Sequence, residues 1–71
     1  MSNFFIDKIC TYLRQGEIKV RFSTTGCIEK DIHTMIVYGK NDDVLGLFKI
    51  TKGDMEVINL VAKVENLENV L

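Results

Sequence analysis

Residues 54–67, DMEVINLVAKVENL, can be read with two incompatible periods, and the choice between them decides the fold. As a strand, the segment would turn every second side chain from Ile58 to Val64 inward, and its β-branched residues favour that conformation. As a helix, it would present one apolar stripe and begin at Asp54, whose side chain can cap the first turn. The stripe consists of Val57, Leu60, Val61, Val64, Leu67 and Leu71.

The length of this segment favours the helix. Neither Gly nor Pro occurs between Asp54 and Leu71, and the stripe continues throughout, whereas the alternation fades after Glu65. We therefore predict a C-terminal helix. The alternative is a fourth strand with residues 51–54 as its turn. The stripe contains the 3-4-3-4 spacing of packed helix pairs, so we expect it to cover a sheet; alternatively, its far end, residues 65–71, reaches another chain.

A first helix is predicted near the N-terminus, where Ser2 or Asn3 can cap it and Gly16 can end it. Arg14 lies where a cation favours the helix dipole. The apolar residues recur at the three- and four-residue spacing of one helical face. They are Phe5, Ile6, Ile9, Cys10, Tyr12 and Leu13.

Three strands are predicted between the helices. Residues 17–24, EIKVRFST, alternate strictly, with Ile18, Val20 and Phe22 on one face. Residues 32–39, IHTMIVYG, are apolar on both faces, which is typical of a central strand. Residues 39–43, GKNDD, indicate a hairpin turn into 44–51, VLGLFKIT, where Gly46 indicates a bulge or a close approach.

These elements predict a single α+β domain spanning residues 1–71, with an N-terminal helix, a three-stranded antiparallel sheet and a C-terminal helix on one face. The alternative is a four-stranded meander with one helix. A chain of 71 residues buries a small core, so we expect a partner or a second copy to stabilise it. Cys10 and Cys27 are expected to be free thiols, because their spacing matches no disulfide or zinc rule.

Composition limits the classes of function. The net charge is −1 with both signs interspersed, which argues against a general affinity for nucleic acid or anionic lipid. Neither a signal peptide nor a membrane span is visible, so we expect a cytoplasmic protein.

Catalytic and metal-binding motifs are not found, and we expect neither an enzyme nor a cofactor. His33 is expected to be an ordinary sheet residue and Cys27 an ordinary loop or core thiol. Glu29 and Asp31 are expected in a solvated loop. The acidic residues 41–43, NDD, are typical of a turn and lack the spacing of a calcium loop.

The order helix, three strands, helix resembles that of double-stranded RNA-binding domains, which implies phosphate contacts from a Lys-rich start of the last helix. The matching stretch here, TKGDME at 51–56, has Lys52 as its only base beside Asp54 and Glu56, so RNA binding is not expected. The order also resembles that of small phage-encoded anti-CRISPR proteins. That resemblance implies a noncatalytic inhibitor that occupies a surface of another protein.

We therefore predict a noncatalytic interaction module, an inhibitor or adaptor from a phage or mobile element, that binds a protein partner by surface complementarity. The predicted contacts are a charged strand face, Glu17, Lys19 and Arg21, and an acidic turn, Asn41, Asp42 and Asp43.

The alternative function is a homo-oligomer that holds a small, nucleotide-like ligand at the subunit interface. Arg21, His33 and Tyr38 would contribute to that pocket.

Overall fold

The computed structural model describes residues 3–25 and 28–71, and within them the predicted order of elements is confirmed. The elements are α1 (Phe4–Arg14), β1 (Lys19–Ser23), β2 (Ile32–Tyr38), β3 (Val44–Thr51) and α2 (Lys52–Val64). The chain is an α+β domain in which two helices pack on one three-stranded sheet.

The sheet is antiparallel with β2 in the centre, as the two-sided apolarity of β2 predicts. Val20 lies opposite Val37 on β1 and β2, and Met35 lies opposite Phe48 on β2 and β3. The pairing of β2 with β3 shifts by one residue after Val37, which leaves Leu45 unpaired next to Gly46. This irregularity confirms the predicted bulge.

The core lies between the helices and one face of the sheet. Helix α1 contributes most of the helical part, because four of its side chains are buried, whereas α2 contributes Ile58. The strands contribute the alternating residues that face the helices. The buried cluster consists of Ile6, Ile9, Cys10, Leu13, Ile18, Val20, Met35, Val37, Ile50 and Ile58.

The first helix begins and ends as predicted. Of the two candidate caps, Asn3 accepts a hydrogen bond from the Ile6 amide at 3.3 Å, while Ser2 lies outside the described residues. At the other end Gly16 adopts a left-handed φ of 72°, and the Glu17 amide donates to the Tyr12 carbonyl at 3.0 Å. This is a Schellman ending, which favours glycine at the left-handed position.

Helices α1 and α2 run in the same direction. Asn3 Nδ2 donates to Asp54 Oδ2 at 3.2 Å at their N-terminal ends. Arg14 Nε donates to Glu65 Oε2 at 2.8 Å at their C-terminal ends. The two helices are therefore joined side by side at both ends.

The cap and the end of α2 differ from the prediction. Thr51, not Asp54, is the cap, because the Asp54 amide donates to Thr51 Oγ1 at 3.1 Å. The helix ends at Val64 and does not continue to Leu71. Asn66 adopts a left-handed φ of 54°, and the Leu67 amide donates back to the Ala62 carbonyl at 2.9 Å. This geometry closes the helix without a glycine.

The predicted apolar stripe covers the sheet only in part: Val61 and Leu67 pack against the core, whereas its other members are exposed. Val57, Leu60 and Val64 are exposed by 48%, 61% and 71%. Ile58 is buried instead, and Met55 and Val61 pack against the core beside it. One side of α2 therefore packs against the core, to which α1 contributes four buried side chains.

Residues 66–71, the C-terminal segment, lie along the outer edge of β1. The Val20 amide donates to the Asn69 carbonyl at 2.9 Å, and the Leu71 amide donates to the Val20 carbonyl at 2.8 Å. These bonds form a parallel bridge between Val20 and Val70. The C-terminal segment thus continues the sheet in the manner of a short strand, where a helix was predicted.

The open face of the sheet as a candidate binding site

The helices leave one face of the sheet uncovered, here called the open face. Its residues follow from strand alternation and from the register, because side chains opposite one another point to the same side. The residues of the open face are Lys19, Arg21, Ser23, Ile32, Thr34, Ile36, Tyr38, Val44, Leu47, Lys49 and Thr51.

The centre of the open face is apolar. Ile36 lies between Arg21 and Leu47 across the three strands, and Tyr38 lies between Lys19 and Val44. Leu47 is 65% exposed and Val44 is 60% exposed, whereas Ile36 and Tyr38 are half-buried. Adjacent exposed apolar side chains on one sheet face are typical of an interaction surface.

Three cations surround this apolar centre. Lys19 Nζ donates to Asp42 Oδ1 at 2.6 Å, and Lys49 Nζ donates to Thr34 Oγ1 at 2.9 Å. The third cation, Arg21, is exposed at the β1 side. Because Lys19 is already paired with a carboxylate, Arg21 is better placed to attract an acidic group of a partner.

The hairpin turn 39–43 positions the predicted acidic contacts. The Asp42 amide donates to the Gly39 carbonyl at 3.0 Å, and the Gly39 amide donates to the Asp43 carbonyl at 2.8 Å. Asp42 has a left-handed φ of 63°. This combination is a type I turn followed by a left-handed residue, a common three-residue hairpin loop.

The two predicted contact patches are neighbours in the structure. Asp42 from the acidic turn meets Lys19 from the charged strand, and Lys40 Nζ lies 3.4 Å from Glu17 Oε1. Asn41 and Asp43 are exposed on the same turn, and Arg21 follows Lys19 along the same face of β1.

The sequence interpretation missed the apolar centre that these charges flank. The sequence interpretation assigned Leu47 and Val44 to a strand but not to a binding site, although strand alternation places Leu47 on the same face as Lys49.

An open groove of about 740 Å³ lies beside the open face, between the end of α1, the hairpin turn and the C-terminal segment. Three cations line it, and each is paired with a carboxylate of the same chain. The pairs are Arg14 with Glu65, Lys19 with Asp42, and Lys40 with Glu17. The hydrogen bond that Arg14 donates to Glu65 raises the pKa of Arg14. Among the residues that the structure describes, the groove therefore offers no unpaired cation to an anionic ligand.

The structure does not bring together the three residues predicted for an interface pocket. Arg21 and Tyr38 lie on the open face, whereas His33 lies opposite Ile50 on the helix-covered face. His33 Nε2 is buried and has no hydrogen-bond partner among the described residues. Residues an odd number of positions apart on a strand face opposite sides, so one protomer does not place His33 beside Tyr38 and Arg21. The interface pocket of the alternative function stays a prediction.

Residues with catalytic or metal-binding potential are dispersed. Within residues 3–25 and 28–71, no group of three or more His, Cys, Asp or Glu residues could hold a metal ion. Glu29 and Asp31 are exposed in the connection before β2. Cys10 is a buried free thiol, and Cys27 lies outside the described residues.

Comparisons with family models, with curated proteins and with solved structures give no match for this chain. None of the helices in the described ranges has the length and apolar character needed to cross a membrane.

Proposed function

We propose that the chain is a noncatalytic protein-binding module whose open face docks on another protein. The observation that carries this proposal is the exposure of Leu47 and Val44, on β3, on a sheet face that neither helix covers. A protein that acts in this way can serve as an inhibitor or an adaptor, because it occupies a surface and requires no reactive group.

The chemistry of the open face indicates its partner. Leu47, Val44 and Ile36 fit an apolar depression, while Arg21 at the rim fits a carboxylate. A nucleic acid fits less well, because Asp42 and Glu17 adjoin the face and Asp42 already neutralises Lys19. The partner is therefore a protein surface with an apolar centre and acidic residues beside it.

Leucines of similar exposure on the two layers provide a matched test. Leu47 on the open face is 65% exposed, and Leu60 on α2 is 61% exposed. Burial of a leucine side chain contributes about 1.5–3 kcal/mol, so Leu47→Gln should weaken partner binding at least about tenfold. Leu60→Gln should leave binding unchanged, because that side chain lies on the other side of the molecule.

The experiment uses the tagged wild type and both variants as baits in a cell extract, with quantitative mass spectrometry of the captured proteins. Proteins lost with Leu47→Gln and retained with Leu60→Gln are then purified and titrated calorimetrically, and Arg21→Glu should weaken the same complexes. Equal capture by both leucine variants would contradict the proposal, as would a nuclease-sensitive complex that depends on the Lys and Arg residues alone.

A further inference from the structure

The two edges of the sheet differ in accessibility. The outer edge of β1 is covered by the C-terminal segment through the Val20 and Leu71 amides. Strand β3 pairs with β2 on one side, and no strand of the described residues pairs with its other side. The outward side of β3 is therefore an edge of the sheet at which another chain can add a strand.

The free edge is long and mostly apolar. Strand β3 spans eight residues, of which Lys49 is the only charged one. Leu45 and Leu47 are 58% and 65% exposed. Monomeric proteins usually protect such edges with charges, proline, bulges or short strands. Strand β3 has one lysine and the bulge at Leu45, but it is long and contains no proline.

Aromatic side chains from the helix layer lie beside the same strand. The rings of Phe5 on α1 and Phe48 on β3 lie with their centroids 4.9 Å apart. Both rings remain partly exposed, and the neighbouring Phe4 is 81% exposed. A chain that paired with β3 would therefore also meet apolar side chains from α1.

The charges at the two ends of β3 have opposite signs. Asp42 and Asp43 directly precede the strand, while Lys49 and Lys52 lie at its end. An antiparallel copy of β3 would place the acidic end of each strand beside the basic end of the other. A parallel copy would place like charges together, so charge complementarity selects the antiparallel arrangement.

We propose that β3 pairs with β3 of a second copy of this chain, antiparallel and about a two-fold axis, to form a continuous six-stranded sheet. A pairing centred on Leu47 places Lys49 opposite Leu45 of the other copy and Asp43 opposite its Thr51, next to its Lys52. The arrangement keeps both open faces on the same side of the joined sheet. It does not rest on the proposed binding of another protein, and the purified chain alone suffices to test it.

Charge reversal at the two ends of β3 tests this pairing. Within one chain, Asp43 and Lys52 are separated by the length of the strand, on the order of 27 Å, which far exceeds a screening length of about 10 Å in 0.1 M salt. Asp43→Lys and Lys52→Glu should each weaken the dimer about tenfold, because each reversal creates repulsion at two symmetric contacts. The double variant should restore wild-type affinity, since the charges again alternate across the interface.

Dimer affinity would be measured by sedimentation equilibrium, with circular dichroism to show that each variant is folded. Glu68→Lys, a charge reversal in the C-terminal segment at the opposite edge of the sheet, should leave the affinity unchanged. A wild-type chain that stays monomeric at high micromolar concentration overturns the proposal. So does a dimer that the double variant fails to restore, or one that dissociates on Leu60→Gln and thus assembles through α2.

Discussion

Cys10 illustrates at the residue scale how burial alters chemistry. The side chain lies in the core at 4% exposure. Burial raises the pKa of its thiol, which the nearby Arg14 only partly offsets. The thiol therefore stays protonated and is a poor nucleophile, so Cys10 acts as a small apolar residue that packs among isoleucines and leucines.

The raised pKa of Cys10 predicts a pH dependence of stability. The folded chain holds the thiol proton more tightly than the unfolded chain, so this stabilisation is complete below the ordinary thiol pKa and is lost as pH rises through the folded value. We expect the free energy of unfolding to fall as pH rises above the ordinary thiol pKa of about 8.5, and to fall less in Cys10→Ala.

Urea denaturation across that pH range measures the effect, with Cys27→Ser present in both chains so that only one thiol titrates. Parallel pH profiles in the two chains would show that the Cys10 thiol does not contribute.

At the element scale, α2 shows what periodicity can and cannot predict. The absence of Gly and Pro from Asp54 onward correctly predicted a helix, but apolar residues lie on several sides of this helix. The stripe through Val57 and Leu60 and the buried line through Ile58 therefore compete in the sequence. Which of these two sides of α2 is buried depends on how α2 packs beside α1 on the sheet. The sequence of α2 carries no local signal for that packing.

The end of α2 was missed for a related reason. Asn66 ends the helix with a left-handed backbone, a role that glycine fills more often. The hairpin, by contrast, was predictable because Asn41, Asp42 and Asp43 are turn residues. The contact between Lys19 and Asp42 was not predictable, since it depends on the register of β1 with β2 and on the bulge.

Substitution of Asn66 tests this account of the helix end. Asn66→Gly should raise the free energy of unfolding by about 0.5–1 kcal/mol, because glycine adopts a left-handed φ without steric cost. Asn66→Ala should lower it by about 1 kcal/mol, since a β-carbon disfavours that conformation. Chemical denaturation of the three proteins gives the comparison, and a stabilising alanine would mean that the residue is helical.

At the scale of the whole molecule, Asn69 connects three parts of the chain. Its Nδ2 group donates to the Leu13 carbonyl at the end of α1 and to the Ile18 carbonyl before β1, both at 2.9 Å. The Asn69 backbone carbonyl also accepts the Val20 amide. One side chain thus holds the C-terminal segment, the first helix and the edge of the sheet together.

Removal of this amide should destabilise the fold. Asn69→Ala leaves two part-buried carbonyls without this donor, and we expect a loss of about 1–3 kcal/mol in the free energy of unfolding. Asn59→Ala, on the exposed side of α2, is the matched control and should change stability by less than about 0.5 kcal/mol. Thermal and urea unfolding compare the two, and similar losses would assign Asn69 no special role.

The cover on β1 has a consequence for how far self-association can proceed. A molecule whose sheet has two unpaired edges could add a further copy at each edge and grow into a fibre. Here the chain's own C-terminal segment is hydrogen-bonded to the outer edge of β1 at Val20, so the proposed pairing uses β3 alone and stops at two copies. The C-terminal segment thereby allows an apolar edge strand to remain exposed without leading to open-ended polymerisation.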